Sequence, residues 1–149
     1  MAEGSKMIMS RSAALIGLSE PRTAVVAAVL LIVGALNLIP GAGLLGPERL
    51  ADLYGVTGSD ESVLVLLRHR ALLLAMLGLF LVLAAFRADW RRPALIAGLL
   101  SNVVFVLLTK AEPTTAEIAR VATIDLVALP LLIVGLVLSP RRRRDREPR

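Results

Sequence analysis

Four apolar stretches separated by short charged segments take up most of this chain, at roughly residues 23–38, 71–86, 93–109 and 126–138. A membrane-crossing helix needs about 20 apolar residues, with a range of about 17–25. The first and third stretches come close to that length unaided. The second and fourth reach it only when their preceding turns are included, and those turns carry Arg68, His69 and Arg70 in one case and Arg120 and Asp125 in the other. Charge inside a bilayer is costly and marks either a site or a structural pair. The pattern therefore predicts an all-α fold, a four-helix transmembrane bundle with a short interfacial helix in the first outer loop. Residues 1–22 read as a cytoplasmic leader, 23–139 as the membrane domain and 140–149 as a basic cytoplasmic tail.

Composition agrees with a bilayer. The hydrophobic fraction is 56% and the mean hydropathy is +0.76, above what soluble domains carry. There is no cysteine, so disulfides, thiol relays and thiolate metal sites are excluded within the chain. The first apolar stretch follows a polar leader that is long for a signal peptide, and three more spans follow it, so it is read as uncleaved.

Charge sets the expected orientation. Lys6, Arg11 and Arg22 precede the first span, and the loop after it is net acidic through Glu48, Asp52, Asp60 and Glu61. The connection from Arg87 to Arg92 is short and basic and holds Trp90, the single tryptophan. The third connection is balanced, and the chain ends in an arginine-rich tail. Basic and non-basic connections alternate, which by the positive-inside rule puts both termini and the second connection in the cytoplasm. The tail is expected to attract anionic headgroups, at about 1 kcal/mol per charge near the surface. With aromatics at 3% and no fold around the tail charges, nucleic acid is not an expected partner. The lipid bilayer is the expected partner, and a homo-oligomer or a larger membrane complex is left open.

Local signals refine the elements. The run Pro40-Gly41-Ala42-Gly43 is expected to end the first helix. From residue 46 to 55, Pro47 near the start, Glu48 in the first turn and Gly55 at the stop describe the short interfacial helix. Ser59 or Asp60 can cap the second long helix. Thr114-Thr115-Ala116-Glu117 has a capping-box pattern and starts the fourth helix near Thr115, which makes Arg120 and Asp125 helical.

Placed in the bilayer, Arg68 and Arg120 fall near the outer interface and Asp125 about 8 Å deeper, at 1.5 Å per residue. Asn37 falls near the outer end of the first span and Asn102 near the middle of the third. The candidate ligand or ion-pair cluster is thus Asn37, Arg68, His69, Arg70, Asn102 and Asp125. Arg68 shares a helix face with Ala71, Ala75 and Gly78, whereas Arg70 shares one with Leu73, Leu74 and Leu77. Close packing in membranes favours small residues, so Arg68 is expected to face the bundle and pair with Asp125, with Arg70 or Arg120 as the alternative partner. Arg70 is expected to reach the headgroups. His69 is the only histidine and has no second ligand nearby, so no metal site is expected. No catalytic residue and no cofactor can be assigned, because signatures such as the P-loop, GxGxxG, HExxH and GxSxG are missing.

The run Leu66-Leu67-Arg68-His69-Arg70-Ala71-Leu72-Leu73, with Pro47-Glu48-Arg49-Leu50 before it and Ala119-Arg120-Val121-Ala122-Thr123-Ile124-Asp125 after it, resembles a family of small bacterial four-helix membrane proteins. This is the DUF4345 type, within the broader DoxX-like group. The resemblance covers about residues 25–138. It implies four transmembrane helices in a bacterial inner membrane and no established activity, although some DoxX-like members are linked to oxidoreductase or respiratory roles. Proteins similar to these are sometimes labelled phosphopantetheine adenylyltransferase, whose Thr-x-Gly-His type motif this sequence lacks. Two function classes follow. One is a non-enzymatic accessory or structural subunit whose buried Arg/Asp pair fixes the fold. The other is a quinone- or lipid-handling oxidoreductase component, or a minimal transporter, that uses the Arg/His/Asp cluster. They differ in one structural respect: a site needs a cavity among these side chains, and a structural pair does not.

Overall fold

The computed structural model describes residues 20–46, 48–49, 60–113 and 115–139. Within them the chain forms four long helices: α1 (Pro21–Leu38), α2 (Glu61–Ala85), α3 (Ala88–Ala111) and α4 (Ala116–Leu138), with a 3-10 segment, Ile39–Leu45, after α1. All four helical segments are long and apolar enough to cross a membrane, α1 together with the residues that follow it up to Leu44. Most of the interfacial helix expected over 46–55, most of the leader and the arginine tail lie outside the described residues.

The helix ends follow local chemistry. Pro21 occupies the first turn of α1, where its missing N–H costs nothing and its fixed φ suits a helix. The Asp60 carboxylate accepts from the Ser62 N–H at 2.9 Å and caps α2. The Thr115 hydroxyl accepts from the Ile118 N–H at 3.3 Å and caps α4, one residue later than a capping box led by Thr114 would place it. Past Leu38 the chain does not leave the bundle at Pro40. It tightens into the 3-10 segment and packs on α2, since proline cannot donate to the preceding turn.

The start of α3 departs from the sequence reading. The connection after α2 is only Phe86 and Arg87, and Ala88 to Arg92 are already helical. Trp90 therefore sits in the first turn of a helix and not in a loop. Polarity hid this start, because the apolar run begins only at Pro93. A proline that close to a helix N-terminus breaks little. The α2–α3 hairpin is tied at this point by the Arg91 side chain, which is buried and donates from Nη2 to the Ala85 carbonyl at 2.9 Å. Trp90 lies between Phe80, with ring centroids 5.9 Å apart, and the Arg87 guanidinium, 5.1 Å above its ring.

Around the bundle, α1 packs on α2, α2 on α3, α3 on α4 and α4 on α1. The helices α1 and α3 also meet across the middle, whereas the backbones of α2 and α4 stay apart on the other diagonal. The α1–α2 crossing is the closest: a methyl on Gly78 would lie 2.7 Å from the Gly34 carbonyl oxygen. In lipid, helices associate through such close backbone approach and dispersion contacts and not by burying apolar surface from water. The core formed by Val26, Val29, Leu30, Val33, Leu81, Ala84, Ala85, Ala94, Leu95, Ala128 and Leu132 lies wholly in the half nearest the α2–α3 connection. That half is closed. Outward faces are largely apolar, with Leu66, Met76, Leu100, Leu107, Val127 and Val137 each at least 60% exposed, as a lipid-facing surface requires.

Candidate functional site

The other half is open. Above the level of Gly78 and Gly98, the four helices enclose a cavity of about 750 Å³. This is within the size range of small-molecule pockets, about 300–1,000 Å³. Its wall is mostly leucine, valine and isoleucine. Its polar members are Asn37 from α1, Arg70 from α2, Ser101, Asn102 and Thr109 from α3, Asp125 from α4, and Glu112 just past α3.

The mouth can be located from the wall residues that stay exposed. Leu73 of α2 and Leu100, Val104 and Leu108 of α3 are each more than half exposed while lining the cavity. On α2, the residues facing α3 include Leu81, which approaches Gly98. Leu73 and Leu77 lie on that same flank at helical spacing. The hairpin α2–α3 is therefore closed at its connection and parted at its other end, so the cavity opens sideways, towards lipid. Where the two helices part, one contact spans them: the Arg70 guanidinium lies 4.3 Å from the centroid of the Phe105 ring, a geometry that favours cation–π attraction.

Four of the six cluster residues come together here: Asn37, Arg70, Asn102 and Asp125. Two do not. Arg68 and His69 are exposed and line no part of the cavity. The expected roles of the two arginines are therefore exchanged: Arg70 points into the bundle and Arg68 away from it. The reason is geometric. The two flank Ala71, one turn before it and one residue before it, on opposite sides of the small-residue seam. That seam, continued by Ala75 and Gly78, is spent on the contact with α1 and the 3-10 segment after it. The bundle interior lies beyond it, on the Arg70 flank. Small residues thus located a helix–helix contact and not the centre of the bundle.

Each polar group is held differently. Asn37 is buried and its Nδ2 donates one hydrogen to the Val33 carbonyl at 2.9 Å, which leaves a second N–H and its oxygen. Thr109 donates to the Val106 carbonyl at 2.9 Å. Arg70 and Asp125 attract each other electrostatically, and Glu112, just past α3, adds a second carboxylate to the lining. Asn102 is only 2% exposed, and its Nδ2 has no hydrogen-bond partner. Leaving a buried amide donor unmade costs about 1–3 kcal/mol, so this group stands out among the fully buried polar atoms of the wall.

Phe105 and Ser101 were not among the sequence candidates. Phe105 lies three residues after Asn102 and four after Ser101 on α3, and that adjacency was the available signal. Among the described residues, no three of His, Cys, Asp and Glu gather in a way that could hold a metal ion. No family model, no curated protein and no solved structure matches this chain.

Proposed function

We propose that this integral membrane protein binds an amphiphilic small molecule in the lateral cavity, as a non-enzymatic lipid-handling component. The observation that carries the reading is the unpartnered Nδ2 of Asn102 in the wall of a 750 Å³ apolar cavity. A purely structural Arg/Asp pair needs neither the void nor the orphaned donor. A ligand with an apolar body and a polar head answers both, because lipid-exposed mouths select molecules already dissolved in the bilayer. The family resemblance to DUF4345 and DoxX-like proteins belongs to the same proposal.

The reading is tested by gentle solubilisation, organic extraction and mass spectrometry of what copurifies. The parent protein is expected to retain an amphiphile near one per chain. Val104→Trp, which fills the mouth from an exposed position, is expected to retain several-fold less. Equal recovery from both would overturn the reading.

The proposed setting is the bacterial inner membrane, with both termini and the Phe86–Arg87 connection in the cytoplasm. Support comes from the charge asymmetry of the connections. Because the chain has no cysteine, single-cysteine labelling is clean. A cysteine at Arg87 is expected to resist a membrane-impermeant thiol reagent in intact cells, and one at Gly46 to react. The opposite pattern would invert the topology.

A further inference from the structure

The closed half of the bundle ends in a second hollow, separate from the lateral cavity. Where α1 and α3 begin and α4 ends, a crevice of about 780 Å³ opens at the boundary of the membrane spans. We propose that it seats the phosphodiester head of one anionic glycerophospholipid per chain, in a site built into the bundle and distinct from the arginine tail.

The polar side chains call for a phosphate. Arg22 of α1 and Arg92 of α3 both line the crevice, and neither has an ion-pair partner among the described residues. Arg92 spends one N–H on the Ser139 carbonyl, at 3.5 Å, and keeps most of its donors. A guanidinium fork matches two phosphate oxygens at once. Ser139 is only 5% exposed, and its hydroxyl has no hydrogen-bond partner among the described residues. It lines the same crevice, so an acceptor oxygen placed there removes the cost of burying it unpaired. Arginines at a span end also anchor topology, but an anchor requires neither a crevice nor an unpartnered buried hydroxyl.

Charge and wall then select the lipid. Against the two arginines the lining sets one carboxylate, Glu20, an excess of one positive charge. The positive end of α1 and the negative end of α4 meet here and offset each other. A phosphodiester without an ammonium brings the lining to neutrality, whereas a zwitterionic head leaves the excess in place. Basic pockets between membrane helices recognise anionic headgroups in this way. The α4 wall is apolar, through Leu136, Val137 and Leu138, and Val137 is 77% exposed. Acyl chains lie along it into the bilayer, and free phosphate gains nothing from it.

The test uses delipidated full-length protein in detergent, with dioleoyl phosphatidylglycerol, phosphatidylethanolamine and phosphatidylcholine offered singly and in competition. Bound lipid is read by native mass spectrometry from concentrated ammonium acetate, which screens exposed charges. Phosphatidylglycerol is expected to bind at one per chain and to outcompete the other two. Arg22→Gln and Arg92→Gln are each expected to weaken it by about tenfold. Should Arg92→Gln fail to fold, Arg22→Gln, at an exposed position, carries the expectation alone. The combined Arg141→Gln, Arg142→Gln, Arg143→Gln and Arg144→Gln variant is expected to change it by no more than about twofold under that screening. Val104→Trp, at the mouth of the lateral cavity, should leave it unchanged. Equal binding of the three lipids would overturn the proposal. So would loss in the tail variant with Arg22→Gln and Arg92→Gln unaffected, which would move the lipid to the tail. Loss in Val104→Trp would move it to the lateral cavity and equally overturn the crevice site. Displacement of the lipid by equimolar inorganic phosphate would overturn the assignment of a lipid in favour of a free anion.

Discussion

Gly78→Ala is expected to destabilise the bundle in detergent by about 1–3 kcal/mol, the usual cost of overpacking a close contact, while Gly98→Ala is expected to be neutral or mildly stabilising. The two substitutions are chemically identical and both lie in the middle of a membrane helix. They differ in what the added methyl meets. At Gly78 it meets the Gly34 carbonyl oxygen at 2.7 Å and the Leu38 backbone nitrogen at 3.0 Å, and backbone atoms cannot rotate aside. The helices must separate, and the dispersion contacts along the whole α1–α2 crossing weaken together. At Gly98 the nearest atoms are the Leu132 and Leu81 side-chain methyls at 3.4 Å, an ordinary contact distance. There the gain in helix propensity, about 0.8–1 kcal/mol for alanine over glycine, has nothing to oppose it. Melting curves of the two variants in the same detergent decide the matter. A Gly78→Ala protein as stable as the parent would mean that the α1–α2 approach is looser than described.

Asp125→Asn is expected to cost more stability than any other single change in the cavity wall. It removes the opposite charge that faces the Arg70 guanidinium across an apolar cavity, where insertion scales put a lone charge at about 2.5–3.5 kcal/mol. Arg70 is half-buried, so the loss should fall at or below the low end of that range. Combining Arg70→Gln with Asp125→Asn should recover part of it, with a coupling of about 0.5–3 kcal/mol between the sites. Arg68→Gln is the control: its side chain is exposed and away from the cavity, so its effect should add to that of Asp125→Asn within about 0.5 kcal/mol. Strong coupling to Arg68 and none to Arg70 would reverse the assignment of the inward arginine.

The contrast between those two arginines marks the limit of what the primary sequence discloses. Helix identity was legible, because hydropathy and caps are local: Asp60 and Thr115 announce the starts of α2 and α4 through side-chain oxygens placed before apolar runs. The start of α3 was not, because Ala88, Asp89, Trp90, Arg91 and Arg92 precede Pro93 without forming an apolar run, and the Arg91 bond to Ala85 crosses the connection. Asn37, Asn102 and Asp125 could be placed in one half of the membrane by counting residues, since depth follows from helical rise. Which flank of α2 faces the interior could not be read in the same way. Both flanks border the same small residues, and only the position of α3 and α4 relative to α1 breaks the tie. The cavity itself has no sequence signature. It is the space left where bulky residues of the open half do not interdigitate as Leu30, Leu81, Leu95 and Leu132 do in the closed half.

The Arg91 clamp on the Ala85 carbonyl makes the α2–α3 hairpin a clothes-peg with its spring at one end. Val104 sits thirteen residues along α3 from that spring, about 20 Å at 1.5 Å per residue. A tilt of about 6° at the pivot therefore spreads the jaws by about 2 Å at that level, by lever arm alone. The Arg70–Phe105 stack lies near the tips of the jaws, where a weak contact has the greatest leverage on how wide the peg stands.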